Sequence, residues 1–268
     1  MQENSSRLLD EALSHEPIKN TFRLAWEFIV LNKNFTLTAM SLLLLLNLLS
    51  TFLGFFAMVI SGIFSMAIQI YVARVLYEAD GIEQFVEKSK KAKIEEVLSS
   101  HALSATGAYF GLLSLFLVLL LLFGFMVSSM QLNLDGMNMQ ELIDSLEVFL
   151  LPSLMVLLLV SYLHPLVQAN ITFTNDFKEG YKAAWSFFSQ GLWRDAFQKE
   201  YFRYVVLIFL LLLALGVMLG IFVTLPGVNL LVNFIVIVLM YVYAIISAVV
   251  AMMARKIVER EAVEKKDM

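Results

Sequence analysis

No Asp, Glu, Lys or Arg falls between Lys33 and Arg74, between Glu96 and Asp135, between Glu147 and Asp176, or between Arg203 and Arg255. These four uncharged runs, separated by short charged stretches, constrain the fold more than any other feature. A helix rises about 1.5 Å per residue, so roughly 20 apolar residues cross a bilayer core about 30 Å thick. The first and last runs are long enough for two spans each, and the middle two hold one each. The chain is 60% hydrophobic with mean hydropathy +0.79, against about 45–50% apolar residues in soluble domains.

The spans are expected at about 35–54, 57–77, 104–128, 148–170, 204–224 and 229–253. The first pair breaks near Gly54, and Thr224, Pro226, Gly227 and Asn229 supply the turn of the last pair. Residues 1–16 read as a polar tail, 17–254 as a single membrane domain and 255–268 as a charged cytoplasmic tail. The start lacks the short apolar core of a cleavable signal peptide.

Basic residues set orientation, because Lys and Arg accumulate on the cytoplasmic side. In a six-span reading all 19 Lys and Arg fall on one side. The opposite side holds two tight turns and the 129–147 loop, which carries Asp135, Glu141, Asp144 and Glu147 and no basic residue. Reading either two-span run as one long helix would put basic residues on both sides. Both termini are therefore expected in the cytoplasm of a multi-pass cell-membrane protein, of the bacterial inner-membrane kind.

Three segments on the basic side are amphipathic. Residues 17–32 place Ile18, Phe22, Ala25 and Ile29 at helical spacing; residues 177–197 do so with Phe177, Tyr181, Ala184 and Phe188; residues 82–98 do so more weakly. Trp26, Trp185 and Trp193 all lie in these segments, which suits interfacial anchoring of indole rings. The alternative is a small soluble cap in which the helices pack on one another. The expected fold class is thus all-α: a polytopic membrane protein with six transmembrane helices in hairpin pairs, each pair preceded by an amphipathic cytoplasmic or interfacial helix.

Two of the units look like copies. Residues 18–28 align without gaps to 177–187, sharing Lys, Ala, Trp and Phe, and Ala73-Arg74 through Glu78 aligns with Ala254-Arg255 through Glu259. Parallel repeats about an axis along the membrane normal occur in transporters; chance similarity between short amphipathic segments is the other explanation. The segment Lys178-x-Gly180-Tyr181-Lys182-Ala183-Ala184-Trp185-Ser186-Phe187-Phe188 before a span pair resembles a broad group of bacterial six-span membrane proteins of unknown function. These are similar to the membrane domain fused to some glycerophosphodiester phosphodiesterases. The resemblance implies a topology and brings no functional residues.

Gly107 with Gly111, and Gly216 with Gly220, form GxxxG pairs that let helix backbones approach closely, either within one bundle or between two copies of the chain. Ser161, His164, Gln168, Thr172 and Asn175 form a polar stripe with Pro165 among them. Ionisable groups in spans are functional candidates by default, so Ser161, His164 and Gln168 are candidates for a polar cavity or a headgroup contact. The bland reading of His164 is a histidine near the cytoplasmic end that bonds a neighbouring helix. Asn138 with Glu141 reads as a helix cap.

No cysteine is present, and no metal-ligand cluster, catalytic triad, phosphate loop or basic block for nucleic acid is found. No cofactor or metal is expected, and the partners expected are membrane lipids, with a membrane-protein partner or a second copy of the chain. The functions left open are a non-enzymatic one, permease-like or lipid-associated and scaffolding, and an intramembrane lipid-acting enzyme built on His164 with Glu78 and Asp176. A cysteine introduced at Lys90 into this cysteine-free chain is expected to react with an impermeant maleimide only after the cells are opened. Labelling in intact cells would overturn the orientation.

Overall fold

The computed structural model describes residues 7–129, 139–223 and 229–264. The described residues contain helices and no strand. The long helices are α3 (Lys33–Leu53), α4 (Phe55–Tyr77), α6 (Ile94–Ser129), α7 (Met139–Thr172), α10 (Lys199–Val223) and α11 (Asn229–Glu264). Shorter ones are α1 (Arg7–Ser14), α2 (Pro17–Leu31), α5 (Ile82–Lys91), α8 (Phe177–Ala184) and α9 (Gln190–Ala196), with a 3-10 turn at Trp185–Phe188. Five segments among the described residues are long and apolar enough to cross a membrane: Lys33–Ser50, Phe55–Tyr77, Ile94–Leu122, Pro152–Thr172 and Phe234–Glu264. These are compatible with a multi-pass membrane protein.

Burial points the same way. Phe52 (86% exposed), Phe56 (74%), Leu121 (73%) and Phe125 (75%) turn outward. Soluble monomers rarely expose contiguous apolar patches of this kind; a hydrocarbon solvent accepts them. The densest core lies instead toward the charged ends of the long helices, where Ile68, Ala73 and Leu76 of α4 meet Val249, Met253 and Ala254 of α11 in one cluster.

The helix contacts follow a cyclic rule. The inner helices α4, α7 and α11 touch one another. Each outer helix lies against two of them: α3 against α4 and α11, α6 against α4 and α7, α10 against α7 and α11. The short helices obey a related rule, with α2 on α10 and α11, α5 on α4, and α8 on α6 and α7.

Several features differ from the sequence expectation. The polar tail is not a plain tail: its residues 7–14 form α1, which buries Leu8, Leu9 and Ala12 against its neighbours. Helix α11 continues past 254 to Glu264, burying Lys256 and Ile257. Lys256 is only 4% exposed and meets Asp10 of α1 at 3.0 Å, so an ion pair ties the two chain ends together. Residues 82–98 are two helices, broken at Ala92, whose ψ of 133° is extended. Residues 177–197 are α8, the 3-10 turn and α9.

The cause of the break at Ala92 is Asn32. Its Oδ1 accepts from the Phe35 amide (2.9 Å) and so caps α3, while its Nδ2 donates to the carbonyls of Ser89, Lys90 and Ala92 at the end of α5. One side chain thereby satisfies orphan groups of two helices. Gly54, at φ +53°, joins α3 to α4 in a conformation that glycine tolerates best.

The amphipathic helices share features of both readings given for them. On α2, Thr21, Leu24, Ala25 and Phe28 face the core, and the Thr21 hydroxyl meets Tyr204 Oη at 2.8 Å. Its other face presents Trp26, 65% exposed. Trp185 and Trp193 are half-buried; their indole nitrogens donate to Ser114 Oγ (3.1 Å) and to the Phe187 carbonyl (2.8 Å).

The tightest contact is between α6 and α8. A methyl group added at Gly107 would overlap the Phe177 carbonyl, one at Gly111 would press on Ala184 and Tyr181, and one at Gly180 would overlap the Ser104 carbonyl. Gly107 and Gly111 thus face α8 of the same chain. Gly216 and Gly220 lie in α10, with surroundings outside the described residues; Asn138 and the 224–228 turn lie outside them as well. Gly180→Ala is expected to cost about 1–3 kcal/mol through overpacking against backbone, read as a lower thermal midpoint in detergent. Unchanged stability would show that α8 does not sit this close.

Candidate functional site

The polar stripe of α7 divides between three environments. Ser161 and His164 line a groove between α7, α10 and α11 that encloses about 310 Å³. Gln168 and Thr172 are fully buried in the bundle. Asn175 lies beyond the helix end, where its Oδ1 accepts from Arg74 Nη2 at 3.0 Å.

The groove is apolar along α10, with Val205, Ile208, Phe209 and Leu212, while α11 adds Tyr243 and Ser247. Pro165 follows His164 inside α7 and removes one backbone donor there. His164 lies eight residues before the end of α7, or about 12 Å at the rise of an α-helix. The side chains of Ser161, His164, Tyr243 and Ser247 make no hydrogen bond to a described residue, so four polar groups in an apolar wall keep their bonding capacity for something else. Pockets of roughly 300–1,000 Å³ with apolar walls and few polar groups are the usual form of small-ligand sites.

Gln168 does not line this groove. Neither its Oε1 nor its Nε2 has a partner among the described residues, and the Gln69 Oε1 of α4 is likewise buried and unpartnered. The three groups considered together for lipid chemistry are not brought to one cavity. His164 is in the groove, Glu78 lines a separate cleft with Arg74 and Lys88, and Asp176 caps α8 by accepting from the Glu179 amide at 2.8 Å.

The sequence reading missed two kinds of residue. Tyr243 and Ser247 were legible only as an i, i+4 polar pair in the last uncharged run. Arg74 and Arg255 were noticed as a repeat and not as a site. Arg74 donates through Nε to the Thr172 carbonyl (2.8 Å) and through Nη2 to the Thr174 carbonyl (2.7 Å). Arg255 places its guanidinium 4.2 Å from the centre of the Phe173 ring. Both repeat arginines therefore meet the turn that follows α7. Among the described residues no group of three or more His, Asp or Glu could hold a metal ion.

No family model, curated protein or solved structure matches this chain. Gln168→Leu removes two buried polar atoms that have no described partner and is expected to raise stability by about 1–3 kcal/mol. A fall in the thermal midpoint would show that the amide is bonded.

Proposed function

We propose that this protein is a six-span, non-enzymatic membrane protein that holds lipid in the groove between α7, α10 and α11, with both termini in the cytoplasm. The observation that carries the reading is the groove itself, where four polar side chains with no hydrogen bond to a described residue sit in a wall otherwise suited to acyl chains. Helix α10 supplies the sixth span: it has 25 residues, and no charged residue lies between Arg203 and its end at Val223. The distribution of Lys and Arg supports the orientation. The cyclic contacts support three units, each an amphipathic helix followed by a pair of spans: α2 with α3 and α4, α5 with α6 and α7, and α8 with α10 and α11. The resemblance of residues 178–188 to six-span bacterial membrane proteins agrees with this arrangement.

Such a groove takes an acyl chain along α10 and a hydrogen-bonding group, such as an ester or hydroxyl, at His164. That chemistry needs no proton transfer, and no carboxylate lines the groove. The protein purified in mild detergent is expected to retain lipid detectable by mass spectrometry. Ser247→Phe, which fills the groove, and His164→Leu, which removes its main polar group, are each expected to reduce retained lipid at least about threefold, the loss of one hydrogen bond or less. Retention unchanged in both variants would overturn the reading, and a co-purifying ATPase without lipid would turn it toward a permease.

A further inference from the structure

A second cleft lies where α4 ends, between α4, α5 and the start of α6, and encloses about 370 Å³. Its position is at the edge of two apolar segments, since one ends at Tyr77 and the other begins at Ile94. A bilayer around these helices places the cleft at headgroup level.

The charges in the cleft are of both signs. Lys88 is paired with Glu78 at 3.0 Å. Lys91, at the rim, donates to Glu87 at 2.6 Å and holds that carboxyl below its ordinary range. Two charges remain without an ion-pair partner among the described residues. Arg74, on α4, spends its Nε and Nη2 on neutral oxygens and leaves Nη1 without a bond to a described residue. Glu96, on α6, takes only the neutral Tyr71 hydroxyl at 3.0 Å. His101, also on α6, lines the same cleft. It is 6% exposed, and its Nδ1 is buried with no partner.

A cleft whose guanidinium and carboxylate lack an ion pair, and whose imidazole nitrogen lacks a hydrogen-bond partner, among the described residues does not suit a simple anion, because Glu96 would repel it. It does not suit a simple cation either, because Arg74 would. It suits a ligand that carries both charges a few bonds apart. We propose that this cleft binds a phosphate group joined to a primary ammonium, the headgroup of an ethanolamine phospholipid. The phosphate lies against the planar donors of Arg74, a geometry that guanidinium matches well, and His101 Nδ1 bonds it. The ammonium lies at Glu96. The inference rests on the bilayer placement proposed above and is independent of the His164 groove.

The full chain in detergent is titrated, by native mass spectrometry and calorimetry, with short-chain phosphatidylethanolamine, short-chain phosphatidylglycerol, soluble phosphoethanolamine and inorganic phosphate. The expected result is saturable binding of the ethanolamine lipid, with phosphatidylglycerol and inorganic phosphate weaker by about tenfold or more, the value of one charged hydrogen bond. Glu96→Gln keeps the acceptor for Tyr71 and removes the charge, so it should abolish this preference, weakening the ethanolamine lipid and strengthening phosphatidylglycerol, which Glu96 no longer repels. His101→Phe keeps the ring against Tyr71 and should weaken both lipids. Lipid binding stronger than phosphoethanolamine names the membrane as the source, and equal binding names the free headgroup; either carries the site. Phosphatidylglycerol or phosphate binding as tightly as the ethanolamine lipid, an unaltered preference in a folded Glu96→Gln protein, or no saturable binding would each overturn it. Failure here with intact groove retention and a protected Lys90→Cys would leave the bilayer placement standing, whereas labelling of that cysteine in intact cells would bring down the placement itself.

Discussion

Arg74 closes the end of a helix other than its own. The last carbonyls of an α-helix have no partner within it and carry the negative end of its dipole. Helix α7 ends with such carbonyls at Thr172, and the guanidinium of Arg74 takes those of Thr172 and Thr174. That grip fixes the depth of α4 relative to α7. It also fixes the turn after α7, where Tyr77 packs edge-on against Phe173 with ring centres 4.7 Å apart and Arg255 covers the same ring. From this turn the chain enters α8 through a reciprocal cap, in which Asp176 accepts from the Glu179 amide and Glu179 accepts from the Asn175 amide. The close seat of α8 on Gly107 and Gly111 follows from where that turn is held.

The two arginines also give the internal similarity a physical meaning. Arg74 and Arg255 occupy equivalent positions at the ends of two inner helices, and both converge on the end of the third. Each is followed four residues later by a glutamate, Glu78 or Glu259. The surroundings then diverge: Glu78 pairs with Lys88 of α5, whereas Glu259 pairs with Arg255 itself at 2.8 Å. Arg255 is thus neutralised by its own helix, while Arg74 has no ion-pair partner among the described residues and spends its donors on the turn after α7.

The sequence was legible wherever one segment's chemistry decides its own structure. The uncharged runs became long helices, the break near Gly54 is a backbone position suited to glycine, and 17–32 is helical; its buried face, however, is Thr21, Leu24, Ala25 and Phe28, so that of the stripe Ile18, Phe22, Ala25 and Ile29 only Ala25 is fully buried. What could not be read depends on partners distant in the chain. Asn32 interrupts residues 82–98 from 57 or more positions away. Helix α1 in the tail buries Leu8, Leu9 and Ala12 and pairs Asp10 with Lys256, which lies far away in the sequence. The residues from Ser161 to Thr172 share one helix, and Asn175 lies beyond its end; their surroundings differ, since α10 and α11 form a groove beside His164 and the bundle encloses Gln168.

A protein in hydrocarbon gains nothing by hiding apolar side chains from their own solvent, so its packing energy must come from close contact and polar bonds. This explains why the dense core gathers at the charged ends of the helices, where water competes and burial again contributes stability. It also separates the two sites physically. The groove beside His164 lies where α10 packs on α7 and α11. The Arg74 cleft lies at the end of α4 and the start of α6, beside α5, on helices that pack closely on each other. Selectivity for a headgroup requires fixed charges and a rigid frame, and acceptance of a chain requires a wall that yields. The proposed chain groove and the proposed headgroup cleft lie at different places along the helices, so a single phospholipid need not satisfy both.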